Sequence, residues 1–175
     1  MLYNPESRQA EWVEFDLKKV NELKEMYVDA MGYIQNGLSH INLNARKDIL
    51  NFFEKSFKIK LKSTKIEEVS KHIHHFGKDS EEADLITGIV YYMKMKYTIK
   101  NYLDYIIKHE GRIVLRPMFG KLMFNSIQPL PKSPEILDCI TASSIVWWEK
   151  GEKSESSTKI DVYSGEGFSY KEREE

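Results

Sequence analysis

A chain of 175 residues, 41% hydrophobic and 30% charged, carries enough apolar side chains for one domain of moderate core, which excludes global disorder. No apolar run approaches the ~18 residues that a membrane span needs, and Met1 to Glu11 is polar without a signal-peptide core, so no membrane association is expected. The net charge of −1 hides a division, because residues 41–132 hold 17 Lys or Arg against 10 Asp or Glu, a surplus of +7, and the remainder is acidic. A basic middle between acidic ends fits either a phosphate-binding face or a solvated lysine-rich surface.

In chain order, Asp16 reads as a helix N-cap, with Phe15 and Val20 placed for a hydrophobic staple. Leu17, Val20, Leu23, Tyr27 and Met31 recur at helical spacing, and Gly32 is expected to end that run. Asn44 is placed to cap a second helix whose apolar face holds Ile49, Leu50, Phe53 and Phe57. Thr64-Lys65-Ile66-Glu67 has the form of a capping box and predicts a short helix through Val69 and Ile73. Asp79-Ser80-Glu81-Glu82 opens the longest predicted helix, from Ser80 to Lys108, with Ile86, Ile89, Val90, Met93, Tyr97, Leu103 and Ile106 as apolar positions.

After Gly111 the pattern changes. Arg112 to Leu115 predicts a short strand, and prolines at 117, 129, 131 and 134 break regular structure beyond it. Ile145-Val146-Trp147-Trp148 predicts a second strand. Residues 151–175 are rich in Ser, Glu, Lys and Gly and read as a flexible tail behind a helical domain spanning 1–150. Cys139 is the sole cysteine, so no internal disulfide forms, and a reducing, cytoplasmic setting is expected, with the thiol as a buried small hydrophobe.

Four features occur in a fixed order. Ile41-Asn42-Leu43-Asn44-Ala45-Arg46 precedes the second helix, Ser63-Thr64 opens the third, Tyr92 and Tyr102 stand ten apart on the long helix, and Gly111-Arg112-Ile113 follows. This series resembles the thumb region of family A DNA polymerases, the bacterial DNA polymerase I type. Their pattern runs I/F-N-I/L-N-S-x-x-Q-L, then S-T, then Y-R-x-L-x-K-L-x-x-T-Y, then G-R-I/V. The resemblance covers roughly residues 12–137, and the ordered series carries it rather than any single motif. It implies a mainly α fold, a body of two long antiparallel helices with short tip helices, and an irregular C-terminal quarter with one or two short strands. It also implies contact with duplex or primer–template DNA. The residues assigned to that contact are Lys62, Ser63, Thr64 and Lys65 at the tip, Lys96 and Lys100 on the long helix, Arg112 of the G-R pair, and Lys121 of a worn T-G-R-L match at Gly120-Lys121-Leu122. Lysines one turn apart beside a duplex would touch phosphates without reading sequence.

The chain departs from the family at several points. Met93 stands for the arginine of Y-R, Tyr97 for the lysine of K-L, and Ala45 for the serine of N-x-N-S. Most of the tip loop is missing, leaving Lys58, Lys60 and Lys62. Nucleotide transfer in this family needs two aspartates on two metal ions, in D-Y-S-Q-x-E-x-R and H-D-E, and neither motif is present. Asp161-Val162-Tyr163-Ser164 only echoes the first. The expectation is therefore a chain that is not an enzyme by itself and takes no cofactor. It would act as the DNA-gripping part of a split polymerase whose palm and fingers are on a separate chain, or as a replication accessory. The alternative is a helical interaction subunit of a larger machine that has lost DNA binding.

Two further constellations weigh less. His72, His74 and His75 cluster, but without H-E-x-x-H or a comparable ligand pattern they suit a solvated helix end better than a metal site. Trp147 and Trp148 could stack on bases, although one buried ring and one at a partner surface is the commoner outcome. No Gly-rich nucleotide-binding loop is present.

Overall fold

The computed structural model describes residues 11–118, 121–149, 160–162 and 171–172. Helix dominates, and among the described residues no helix is long and apolar enough to cross a membrane. The chain divides into two compact units, Lys24–Lys100 and Met1–Leu23 with Asn101–Glu175.

Helix α1 spans Leu17–Gly37. Asp16 caps it as expected, its Oδ1 accepting the N–H of Lys18 at 3.0 Å and of Lys19 at 3.3 Å. The helix runs through Gly32 rather than ending there. A mid-helix glycine costs only about 1 kcal/mol, and Met31 and Ile34 hold the surrounding turns by packing on the helical core. Helix α2 spans Arg46–Phe57 with Ala45, not Asn44, at its N-cap. Asn44 is engaged elsewhere, and Asp48 in the first turn instead reaches back to accept the N–H of Asn42 at 2.8 Å. Lys58, in the left-handed region at φ 59°, ends α2 and returns its N–H to Phe53 O.

Helix α3 is short, Ile66–Ser70, and passes into a 3-10 turn over Lys71–His75. The expected capping box is not formed. Lys65 is the N-cap, without a side-chain cap, and Glu68 rather than Glu67 folds back, accepting the N–H of Lys62 at 2.8 Å. Helix α4, Glu81–Thr98, begins as predicted with Ser80 Oγ accepting the Ala83 N–H at 3.1 Å. It continues through a π-helical turn, Ile99–Leu103, into α5, Asp104–Lys108. Tyr97 is not a core position, being 45% exposed.

In the Lys24–Lys100 unit, Phe52, Phe53 and Phe57 of α2 pack edge-on with centroids 5.2–6.3 Å apart. Phe76 tilts against Phe57 at 5.6 Å. Leu61, Val69, Ile86, Ile89 and Val90 complete this core. The ring edges fit the preference of aromatic pairs for offset contact, and Phe53 is completely buried, so its truncation to alanine would cost about 3–5 kcal/mol.

The other unit holds more strand than the sequence pattern predicted. An antiparallel sheet of order β3-β2-β1-β4 is built from β1 Glu11–Phe15, β2 Arg112–Met118, β3 Lys121–Met123 and β4 Ile140–Ser143. So the irregular C-terminal part, read as having one or two short strands, is a correction: the stretch after Gly111 contributes three of these four strands, and the fourth comes from near the N-terminus. Alternation along β2 places Ile113 and Leu115 inward beside Val13 and Phe15 of β1. Phe124 fills the centre, edge-on to Phe15 at 6.3 Å and tilted against Tyr102 and Tyr105 at 5.1 Å each. A short helix α6, Pro134–Leu137, adds Ile136 and Leu137.

Strand β5, Ile145–Glu149, fits the second predicted strand and pairs with β6, Ile160–Val162, and β7, Lys171–Glu172. Parts of the stretch read as a flexible tail are thus strands, and its other residues lie outside the described ones. The side chains of Trp147 and Trp148 lie outside them too, as do Tyr163 and Ser164 of the D-Y-S echo.

Candidate nucleic-acid interface

Between α2 and α3 the chain is extended, and its side chains alternate. Ile59 and Leu61 turn toward the core, while Lys58, Lys60 and Lys62 are exposed. In K-I-K-L-K, Lys58 sits in the left-handed turn that ends α2, and Lys60 and Lys62 follow it on the exposed side of the segment. Leu61, 7% exposed, pins the middle of the segment. Glu68 pins its end through the Lys62 N–H, and Lys71 Nζ lies 2.6 Å from the other oxygen of the same carboxylate. The Lys71 hydrogen bond and the Lys62 N–H pull the Glu68 carboxyl from 4.5 down to about 2, so it stays an anion and keeps the loop end anchored. Ser63 and Thr64 are half-buried, Ser63 Oγ accepts the Lys65 N–H at 3.4 Å, and Lys65 is exposed.

Of the expected contact residues, Lys62, Ser63, Thr64 and Lys65 therefore sit together. Lys58 and Lys60 belong with them, and the alternation in the sequence was the signal that identifies them. Lys96 and Lys100 are also exposed and lie one turn apart. They stand about 22 Å or more up the long helix from Glu81, at the end away from Phe76 and the tip loop, so they form a second basic place on the same unit. No carboxylate pairs with either lysine among the described residues.

In the other unit, Arg112 opens β2 opposite Glu14 in register. Its Nη1 donates to Glu14 Oε1 at 2.7 Å, and its guanidinium lies 5.0 Å from the centre of the Trp12 ring. An ion pair and a cation–π contact thus already hold this charge on the sheet. Lys121 opens β3 opposite Met118, about 20 Å along the ladder from Arg112, and the sheet does not bring the two together. Gly111, just before Arg112, has φ +87°, and a Cβ there would lie 2.7 Å from Phe15 O. The glycine of the G-R pair is therefore required by close backbone approach.

The histidines sit on the 3-10 turn. His72 and His75 stack at 4.9 Å, and both ring nitrogens of His72 are buried without a hydrogen-bond partner, its Nε2 lying 3.8 Å from Glu68 Oε2. Burial, and then the neighbouring His75, push His72 below its ordinary 6.5. Among the described residues no group of three His, Cys, Asp or Glu side chains converges to hold a metal ion. No family model, curated protein or solved structure matches this chain.

Proposed function

We propose that this chain binds duplex DNA without reading its sequence, as a non-catalytic gripping component that works beside a separate polymerase chain or as a replication accessory. The observation that carries the reading is the row of exposed lysines at positions 58, 60, 62 and 65, fixed on a short loop by Leu61 and Glu68. Ammonium groups held in a row, with the apolar stems between them anchored, suit a phosphate backbone and carry no base specificity. Lys96 and Lys100 supply a second contact on the same unit. The order of a long helix, two short ones and a second long one, with the N-L-N segment, the paired tyrosines and Gly111-Arg112 along it, is what gives the polymerase-thumb reading its weight.

The experiment is a fluorescence anisotropy titration against two unrelated duplexes over a series of salt concentrations. Wild type should bind both about equally, with affinity falling steeply as salt rises. Replacing Lys58, Lys60 and Lys62 by alanine should weaken both duplexes alike and flatten the log–log salt slope by about one unit per lost phosphate contact. A second variant with Lys96 and Lys100 replaced by alanine separates the two places, and a third, Arg112→Ala, tests the arginine of the other unit by itself. Absence of binding at low salt would overturn the reading for this chain.

A further inference from the structure

Between α1 and α4 the Lys24–Lys100 unit carries a groove of about 440 Å³. The two helices run antiparallel past it. Ile34 faces Gly88, whose missing Cβ would lie 3.9 Å from Ile34 Cγ2, while Val28, two turns earlier, shares the groove with Ile99 and Lys100 at the far end of α4. Val28 and Met31 form one wall, Tyr92 and Ile99 the other. Gly32 widens it, since a Cβ at that position would meet nothing within 4 Å.

The polar atoms inside the groove are already engaged. Gln35 donates to Leu38 O and Ile41 O at 3.1 and 2.7 Å and accepts the Leu43 N–H at 2.9 Å. The Tyr92 hydroxyl donates to Asn44 Oδ1 at 3.1 Å. An occupant of the floor must therefore be apolar, because a polar one would lose water and find no partner. The rim is different. Lys96 and Lys100 line it, exposed and one turn apart, and the lining includes no acidic residue to balance them.

We propose that this groove docks a short acidic amphipathic helix of a protein partner, its apolar residues on Val28, Met31 and Ile99 and two carboxylates one turn apart on Lys96 and Lys100. The charge spacing argues for a helix over a small anionic amphiphile. A single carboxylate satisfies one lysine, whereas acids at i and i+4 match two that are themselves four apart. An open trough between antiparallel helices is the usual seat for such a segment, and its two carboxylates would neutralise the positive rim. This goes beyond DNA binding and does not depend on it; a docked acidic helix and a duplex would compete for Lys96 and Lys100, while the lysines at 58, 60 and 62 stay free for the duplex.

The test is selection from a display library of short helical peptides randomised on one face, with the intact chain as bait. Recovered peptides should pair Leu, Met or Phe with two Asp or Glu a turn apart. They should weaken by about tenfold or more against Lys96→Glu/Lys100→Glu and against Gly32→Leu, which fills the groove without changing charge. Versions with the acids changed to lysine should regain binding to the charge-reversed variant. Gly32 is exposed on a helix, and leucine is the better helix former, so that variant folds. It should also leave duplex binding unchanged, which keeps failure here distinct from failure of the DNA reading. No enrichment, peptides without an acidic bias, or binding displaced by a fatty acid but not by the acidic peptides would each overturn the proposal.

Discussion

The Tyr92 hydroxyl donates to Asn44 Oδ1 at 3.1 Å across 48 positions of chain. The last residue of the N-L-N segment thus meets the first of the two spaced tyrosines, and the bond ties the entrance of α2 to the middle of α4. Tyr92 is 5% exposed while Asn44 is exposed, so the group that loss of Asn44 leaves covered and unpaired is the tyrosine hydroxyl. Tyr92→Phe should cost about 1 kcal/mol and Asn44→Ala a similar amount. The double variant should cost little more than either single one, because both remove the same bond. Urea unfolding of the three variants measures this, and full additivity would show that the pair is not coupled.

Two glycines should respond in opposite directions to alanine. Gly32 lies within α1 with open space where a Cβ would go, so Gly32→Ala should stabilise by about 0.5–1 kcal/mol. Gly111 combines φ +87° with a 2.7 Å approach to Phe15 O, and Phe15 N–H donates back to Gly111 O at 2.7 Å. Gly111→Ala should destabilise by about 3 kcal/mol, from strain and from displacement of β1. Thermal melts of the two variants beside wild type decide both signs.

Helix caps and buried periodic positions were legible in the sequence, whereas the capping box at Thr64 is not formed, because Glu68 rather than Glu67 folds back. Asp16 and Ser80 cap the helices they precede, and Ile86, Ile89, Leu103 and Ile106 are buried as their periodicity required. The errors came where distant residues decide. Asn44 is a good N-cap by type, but Tyr92 claims its side chain, and no local rule reveals that. Gly32 looks like a helix stop, yet packing of Met31 and Ile34 outweighs its propensity. The sheet is not legible locally because β1, although Trp12, Val13 and Phe15 are apolar, gains its partners from nearly a hundred residues downstream, as Glu14 opposite Arg112 illustrates. For the candidate interface, the exposure of Lys58, Lys60 and Lys62 was legible in their alternation with Ile59 and Leu61. The ion pair of Arg112 was not.

Cys139 should be unreactive in the folded protein. Its side chain is buried, its Sγ donates to Glu135 O at 3.4 Å, and burial pushes the thiol above its ordinary 9.0. The thiolate, the nucleophilic form, is thus scarce and covered at neutral pH. Labelling by an aromatic disulfide reagent should be slow in the native state and rapid and stoichiometric in urea. Addition of Gly111→Ala should speed native labelling, since more frequent opening of this unit exposes the thiol. Rapid labelling of the native wild type would show that Cys139 is accessible.

Stability should fall in two steps on acidification, and both signs follow from the same turn. His72 has a folded pKa below its ordinary 6.5, chiefly from burial and then from His75. The unfolded chain therefore takes up the proton first, and stability present above 6.5 declines as pH drops through the folded value. Glu68 is lowered from 4.5 to about 2, first by the Lys71 hydrogen bond and then by the Lys62 N–H. Its contribution is intact above 4.5 and is lost as pH falls from there through about 2. In melts from pH 7 to pH 2.5, His72→Phe should flatten the upper step and leave the lower one. Glu68→Gln should reduce the lower step, and by removing the one anion 3.8 Å from His72 Nε2 it should deepen the upper one. An upper step that His72→Phe leaves unchanged would assign that loss to another group, and would remove His72 as the residue that couples this turn to pH.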